Sequence, residues 1–274
     1  MKKKEIPRTV LKYLYFDKGL SLRATAISLG ISEPTVRDRF KSHGFVPRRQ
    51  GSWAVKYQKT PFNGNDQEKA YILGFRMGDL NVYMTSETAR IIIARTNSTQ
   101  TDQIELLRTL FSGYGGVKVS GSFKSKNVNC YLDKSFSFLL VDKPYAVDPW
   151  IRHNKQNCIA FMAGYIDAEA NLIINQGKAR FKIDSYDEAI LKWMHEWFLN
   201  NGIKSKIRLI AKRGEVRYGG GYWNNNLWRL NVNEAHSLHK LCKLVIPYLR
   251  HRKRIEDVNK SLMNIMQRKI NGTI

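Results

Sequence analysis

Two acidic residues, Asp79 and Glu169, hold matching places in similar stretches of the chain that lie 90 positions apart. The first stretch is ILGFRMGDLNV and the second is MAGYIDAEANL. Each acid directly follows a small residue, Gly78 or Ala168, which itself comes four positions after a glycine. Because positions i and i+4 share a helix face, the small residues predict two helices that pack until their backbones nearly touch.

Such packing places the C-terminal ends of the two helices side by side and brings Asp79 and Glu169 to one point. Two carboxylates in contact repel, so one must be protonated or a cation must lie between them. Mg²⁺ fits the second possibility, since it takes carboxylate oxygens, and a helix C-terminus adds free carbonyl groups and a negative dipole end. Asp167 lies about 200° around the helix from Glu169, so we expect it to cap or pack instead.

The elements that position these acids are also duplicated. In each half the hydrophobic periodicity predicts a helix (66–78 and 157–168), two alternating strands, a second helix closed by glycine, and two more strands. The last strand of the first half is predicted over CYLDKSFSFLLV, residues 130–141. Two helices, at 234–249 and 254–269, end the chain. The sequence thus predicts an α+β fold of two αββαββα halves.

The N-terminal stretch LSLRATAISLGISEPTVRDRFKSHGF predicts a helix, a turn at Gly30 and a second helix capped by Ser32. Val36 and Phe40 then point inward on the second helix. This pattern resembles a helix-turn-helix, whose second helix enters the DNA major groove. A helical hairpin packed on another surface is the alternative. The polar positions left on the outside include Thr35, Arg37, Arg39 and Lys41.

Composition narrows the choice of partner. The 274 residues carry a formal charge of +23 with a pI of about 10.0, which favours a phosphate polyanion. No apolar run approaches the roughly 20 residues that span a bilayer, and the basic start MKKKEIPRTV lacks the apolar region of a secretory signal. The three cysteines are widely spaced, so we expect no disulfide framework and an intracellular location, in the cytoplasm, nucleoid or an organelle.

On these motifs the chain resembles the single-chain LAGLIDADG homing endonucleases over roughly residues 66–270. The resemblance implies two half-domains that form a saddle over double-stranded DNA, and a small all-α helix-turn-helix is known in some members. It divides the chain into four parts: a helix-turn-helix at 1–46, a basic linker at 47–65, and half-domains at 66–156 and 157–274. A monomer, a long pseudo-palindromic or asymmetric target, and intron or intein mobility are expected.

The resemblance also implies the chemistry. Asp79 and Glu169 stand at the motif position that binds divalent metal, and Gly78 and Ala168 stand where a carbonyl oxygen is lent to it. We expect Mg²⁺ or Mn²⁺ to support hydrolysis of one phosphodiester in each strand, and Ca²⁺ to bind without supporting cleavage. Basic residues common near each active centre correspond to Arg252, with Lys253 beside it. In the first half the equivalent position is Asn154, and the adjacent Lys155 could take over the role.

Further cations are predicted to contact DNA from the linker, the strands and a Gly- and Asn-rich hairpin: Arg48, Arg49, Arg90, Arg180, Lys206, Arg208, Lys212 and Arg217. A rival function remains open. The same doubled fold could belong to a non-cleaving binder, either a transcription regulator or a maturase for intron RNA. The presence of an acid in both motifs favours the endonuclease, because each active centre needs its own carboxylate.

Overall fold

The protein is described by a computed structural model that covers residues 6–47, 59–84, 91–122 and 124–274. The described residues fall into two compact units, one at the N-terminus and one that contains both acidic motifs. No helix within these ranges is both long enough and apolar enough to cross a membrane.

The N-terminal unit is all helical. Helix α1 (Arg8–Lys12) runs into a π-helical turn, and α2 (Leu22–Leu29) and α3 (Glu33–Ser42) follow. Gly30 makes the turn between α2 and α3 with a φ of 63°, a left-handed conformation that glycine adopts without strain. The Ser32 hydroxyl caps α3 by accepting the Thr35 amide at 3.3 Å. Val36 and Phe40 are fully buried, so the predicted helix pair, turn and cap are all present.

The second unit has two halves with the same order of elements. The first half holds α4 (Asp66–Asp79), β1 (Asn81–Met84), β2 (Ile91–Ser98), α5 (Thr101–Phe111), β3 (Gly116–Ser122) and β4 (Ser125–Asp133). A 3₁₀ helix (Lys134–Leu139) and the short α6 (Pro149–Arg152) connect the halves. The second half holds α7 (Lys155–Glu169), β5 (Ala170–Asn175), β6 (Lys178–Ser185), α8 (Glu188–Asn200), β7 (Lys206–Ala211), β8 (Leu227–Val232), α9 (Ala235–Val245) and α10 (Arg252–Ile270).

The two antiparallel sheets have the same topology. Their strand orders are β1-β2-β4-β3 and β5-β6-β8-β7. Buried and exposed residues alternate along β6, as expected for strands that cover a core on one face only. This architecture confirms the predicted α+β fold with two related halves.

Helices α4 and α7 form the centre of the core. In α7, eleven consecutive residues, Asn157–Asp167, are buried. Such all-round burial is characteristic of a helix that is covered on every side, here by the other central helix and the elements of both halves. The packing of α4 against α7 therefore fixes the positions of the residues at the C-terminal ends of both helices.

One predicted strand is shorter than expected. The last strand of the first half ends at Asp133, and residues 134–139 form the 3₁₀ helix instead. Asp133 starts this turn by accepting the Ser135 amide at 2.8 Å. Phe136 and Leu139, three positions apart, both bury completely, which fits three residues per turn. The alternation of serine and phenylalanine therefore mimicked a strand.

Candidate active site

The central helices approach each other through their glycines. A Cβ placed on Gly74 would lie 2.0 Å from the carbonyl oxygen of Phe161, and one on Gly164 would lie 2.0 Å from that of Tyr71. Real Cβ atoms do not come that close to backbone, so only glycine fits at either position. The two contacts mirror each other, which is the relation expected of duplicated helices packed across a pseudo-twofold axis.

The same approach continues to the ends of both helices. A Cβ on Gly78 would lie 2.4 Å from the Ala168 Cβ and 2.9 Å from the Glu169 Cγ. Because both contacts run in the same direction along the chain, α4 and α7 are parallel and end together. Asp79 is the last residue of α4 and Glu169 is the last residue of α7, and both are half-buried. The structure thus brings the two predicted acids to one place.

Burial and mutual repulsion make these carboxyl groups hard to ionise. Burial raises the pKa of Asp79 to about 6, against the opposing effect of a hydrogen bond from Gln103. The pKa of Glu169 is raised to about 7, mainly by burial and secondly by the negative charge of Asp79. Such values mark a site that favours either a proton or a bound cation.

Three further side chains surround the acids and were not predicted from the sequence. The Gln103 amide of α5 donates to Asp79 at 2.7 Å. Lys143, from the segment before α6, donates its ammonium to the Met77 carbonyl at the end of α4 and to Asp187 at 3.2 Å. The positive charge of Lys143 lowers the pKa of both Asp79 and Glu169. An ammonium group already lies where the helix ends attract cations.

The basic residue that α10 brings to the acids is Arg254. Its charge lowers the pKa of Asp79 and of Glu169, and its side chain is only 16% exposed. The predicted Arg252 and Lys253 are more exposed and form ion pairs along α10 with Glu256 and Asp257. All three residues belong to the start of α10, and Arg254 is the one that was not predicted from the sequence.

Lys155 cannot serve the acid pair from where it lies. It is the first residue of α7, and Glu169 is the last, which separates their backbones by about 21 Å at 1.5 Å per residue. Since α4 runs parallel to α7, Asp79 is equally remote. In the first half, the cation that lies near the acids is Lys143.

Asp167 packs away from the acid pair, as predicted. Its Oδ2 accepts the Tyr71 hydroxyl at 2.6 Å and the backbone amides of Arg250 and His251 at 2.8 and 3.0 Å. These bonds fix the chain where α10 begins. Asp167 thereby positions Arg254, three residues further on, without being part of the acid pair.

The two carboxylates fit a hard divalent cation whose remaining ligands come from water and the substrate. Within residues 6–47, 59–84, 91–122 and 124–274, no cluster of three or more His, Cys, Asp and Glu side chains could enclose a metal. Mg²⁺, however, is commonly bound by one or two carboxylates, with water and substrate phosphate completing its shell. The two carboxylates at the ends of α4 and α7 supply that type of site.

Both sheets present a polar face opposite the core. In the second sheet the predicted contacts Lys206 and Arg208 are exposed on β7, and Arg180 is half-buried on β6. Arg217, in the hairpin between β7 and β8, is exposed and stacks over Trp223 at 4.3 Å, and Lys212 is exposed at the end of β7. These cations are all partly or fully exposed, on the strands of the second sheet or in the hairpin between β7 and β8.

The N-terminal unit presents cations along α3. Arg37 and Lys41 are exposed, with Arg37 paired to Glu33 at 2.8 Å, while Thr35 and Arg39 are half-buried. Thr35 also shares a hydrogen bond with the capping Ser32. The predicted contacts Arg48, Arg49 and Arg90 lie outside the described residues.

Comparison with known proteins identifies the fold. No protein-family model matches the chain, and no curated protein matches it significantly. Among solved structures, the chain is similar to I-DmoI in complex with DNA and Ca, at a TM-score of 0.50 and 15% identity, with 71% of this chain and 98% of I-DmoI covered. I-DmoI is a homing endonuclease.

Two further structures match with lower scores. The homing endonuclease I-WcaI, bound to its DNA recognition sequence, has a TM-score of 0.47 and 10% identity over 70% of this chain and 86% of its own. The N-terminal LAGLIDADG domain of WhiA has a TM-score of 0.43 and 14% identity over 73% and 90%. At a TM-score of 0.50, the chain shares the fold of I-DmoI, with two related halves that each contain a four-stranded antiparallel sheet.

Proposed function

We propose that this protein is a site-specific endonuclease that hydrolyses double-stranded DNA with a divalent metal. The observation that carries the proposal is the meeting of Asp79 and Glu169 at the parallel ends of α4 and α7, on the axis that relates the two halves. The I-DmoI structure that shares this fold contains DNA and Ca, which supports the same substrate class for this chain.

In this proposal Asp79 and Glu169 hold Mg²⁺ or Mn²⁺, together with the backbone carbonyls of Gly78 and Ala168. A bound divalent cation supplies an activated water and polarises the phosphate. The protein contributes by holding two buried carboxylates that are costly to ionise without a cation. Because a bound cation offsets the free energy needed to ionise these carboxylates, the site should strongly favour the metal-bound state.

The neighbouring side chains have separate roles. Gln103 fixes the orientation of the Asp79 carboxylate through its 2.7 Å hydrogen bond. Lys143 and Arg254 place positive charge beside the acids, where it offsets the negative charge that builds up on a phosphate under attack. In each strand, the oxygen of water joins the phosphorus, one P–O ester bond breaks, and a proton from the water passes to the leaving oxygen to give a hydroxyl group.

The DNA is held by the polar faces of the two sheets and by α3 of the N-terminal unit, with Arg180, Lys206, Arg208, Arg37 and Lys41 among the contacts. Lysine and arginine neutralise phosphates without reading sequence, whereas base edges are read by bidentate side chains in the groove. We propose that the protein acts as a monomer, since both acids come from one chain.

The test begins with a selected target. Full-length protein binds a randomised duplex library in Ca²⁺, and the enriched sequence is cloned into a plasmid and incubated with Mg²⁺ or EDTA. We expect linearised plasmid with Mg²⁺ only. Asp79→Asn and Glu169→Gln should each reduce double-strand cleavage by at least about 100-fold, the usual effect of losing a catalytic electrostatic group, and should leave binding in place.

The control variant is Glu105→Gln, since Glu105 is an exposed carboxylate of α5 with 65% of its side chain accessible. It should cleave as the wild type does. Binding to a selected sequence without any cleavage in Mg²⁺ or Mn²⁺ would overturn the endonuclease proposal and favour a non-cleaving regulator or RNA maturase. Cleavage that persists in EDTA would overturn the role of the metal.

A further inference from the structure

One cross-strand row of polar side chains occurs in both sheets with the same order of residue types: amide, cation, amide, lysine. In the first sheet the paired residues are Asn81, Arg95, Asn129 and Lys118. In the second sheet they are Asn171, Lys182, Asn231 and Lys206. Each row crosses all four strands of its sheet.

Both rows begin beside the acid pair. Asn81 comes two residues after Asp79, and Asn171 comes two residues after Glu169. Neighbours in a cross-strand row point to the same face of a sheet. The face is the polar one, because the intervening Leu80 is buried and all eight row residues remain partly or fully exposed. With strands about 4.8 Å apart, each row is about 14 Å long.

The rows that adjoin this one on the side of the acids differ between the sheets, since antiparallel pairing puts Asn97 level with Asp79 and Asp184 level with Glu169. In the first sheet the next row is uncharged: Asn97, Asn127 and Ser120. In the second sheet it is charged: Asp184, Arg229 and Arg208. Asp184 binds Arg229 there through two contacts of 2.5 and 2.6 Å.

The opposite neighbours differ as well. Tyr83 pairs with Ile93 in the first sheet, where Ile173 pairs with Arg180 in the second. The equivalent chemistry is therefore confined to the one row next to each acid.

The residue types in the matched row suit base recognition. Asparagine can bind adenine through N6 and N7, and arginine or lysine can donate to guanine O6 and N7. Arg95 is held on the face by a 2.8 Å bond to Asn127, and Lys182 lies 3.7 Å from Asp184. Lys118 and Lys206, on the outermost strands, are placed for phosphates. Two sets of side chains with the same order of chemical types, related by a pseudo-twofold axis, favour half-sites of the same base order.

We propose that the matched rows give the DNA target a short inverted repeat next to its cleavage centre, with an adenine and a guanine read in the same order on opposite strands. Further out, the two half-sites differ, because Tyr83 and Ile93 face one, whereas Ile173 and Arg180 face the other. This inference rests on the proposed function, because it takes double-stranded DNA as the substrate. The symmetry of the target is inferred from the matched rows of the two sheets.

The target selected from a randomised duplex library in Ca²⁺ tests the proposal with the full-length wild-type protein. We expect the sequence information to be mirror-symmetric at the positions flanking the centre and asymmetric beyond them. Strong base preferences at the flanking positions without mirror symmetry would overturn the inference. Failure to select any sequence would overturn it together with DNA recognition.

Single substitutions in the two rows test which base position each asparagine recognises. Asn81→Ala and Asn171→Ala should each relax the base preference at one position of the mirrored pair. A mismatch at that position should weaken DNA binding by the wild type about tenfold and binding by the variant less than about twofold. Asn97→Ala, in the next row, should leave the mirrored pair unchanged. Because all three side chains are exposed on the sheet face, thermal stability should remain that of the wild type. Relaxation at both mirrored positions in a single variant, or at neither, would contradict the assignment.

Cleavage in Mg²⁺ separates this inference from the proposed function. A mirrored target that is bound but never cut leaves the row inference standing and removes the endonuclease. Efficient cutting of a target without the mirrored pair removes the row inference and leaves the endonuclease.

Discussion

Ionisation of the Asp79 and Glu169 carboxyl groups lowers the stability of the folded protein. The pKa of each is raised on folding, from 3.8 to about 6 for Asp79 and from 4.5 to about 7 for Glu169, so folding favours the protonated forms. The stabilising effect of these groups is present below their ordinary pKa and is lost as the pH rises through about 6 to 7. At higher pH and without metal, both carboxylates oppose folding.

The first prediction follows for thermal unfolding. At pH 8 in EDTA, Asp79→Asn and Glu169→Gln should raise the melting temperature by several degrees, since about 1 kcal/mol corresponds to roughly 2–4 °C in a chain of this size. The gain should shrink as the pH falls below 6. Differential scanning calorimetry measures it, with Glu105→Gln as the unaffected control. Destabilisation of both variants at pH 8 would show that the carboxylates are stabilised by neighbours such as Lys143 and Arg254.

The second prediction concerns the pH dependence of cleavage. Metal binds the charged carboxylates, and protons compete for them, so the cleavage rate should fall as the pH drops through about 7. Raising the Mg²⁺ concentration should move the midpoint to lower pH. Single-turnover cleavage of the selected target between pH 5 and 9 provides the measurement. A rate that stays constant down to pH 5 would be incompatible with the raised pKa values.

The central helices depend on glycine for packing rather than for flexibility. In an exposed helix, glycine to alanine is stabilising by about 1 kcal/mol. At Gly74 and Gly164 the added methyl group would meet a backbone carbonyl oxygen, and neither helix can retreat without separating the two halves. The contact is between main-chain atoms, so no side-chain movement relieves it.

We therefore predict that Gly74→Ala and Gly164→Ala each lower the free energy of unfolding by roughly 2 kcal/mol or more, in the range of overpacked cores. Gly113→Ala is the matched control, because a Cβ there would have nothing within 4 Å. Urea titration followed by tryptophan fluorescence measures the difference. Equal stability of Gly74→Ala and Gly113→Ala would exclude the close helix contact.

The elements themselves were largely predictable from the sequence, and the surroundings of the acids were not. Periodicity located α4 and α7, and small residues four apart correctly indicated their contact. Lys143 and Arg254 reach the acids from segments whose path depends on distant bonds, such as those that Asp167 makes with the start of α10. No local pattern contains that information, so Arg252 and Lys155 were predicted from the sequence, but neither Arg254 nor Lys143 was.

At the scale of the whole molecule, duplication gives the protein one site where its halves meet and two surfaces that have diverged. Each half supplies one carboxylate at the shared axis and one four-stranded sheet with a polar face. The environment of the acids is nevertheless asymmetric, because Gln103 holds Asp79, whereas Asp187 lies near Glu169 and raises its pKa. Equal cutting of the two strands is therefore not required by the fold.

The N-terminal unit should contribute affinity without contributing chemistry. Arg37 and Lys41 are exposed on α3 in a unit that contains neither acid. If both contact phosphates, Arg37→Ala with Lys41→Ala should lower the slope of log affinity against log salt by about 2, at roughly 0.9 per contact. Cleavage of saturated, pre-bound target should keep its wild-type rate. Lys12→Ala, an exposed lysine on α1, is the control, and filter binding at several salt concentrations measures the slopes. An unchanged slope would remove α3 from the DNA interface, and slower cleavage of bound target would show that this unit acts on the chemical step.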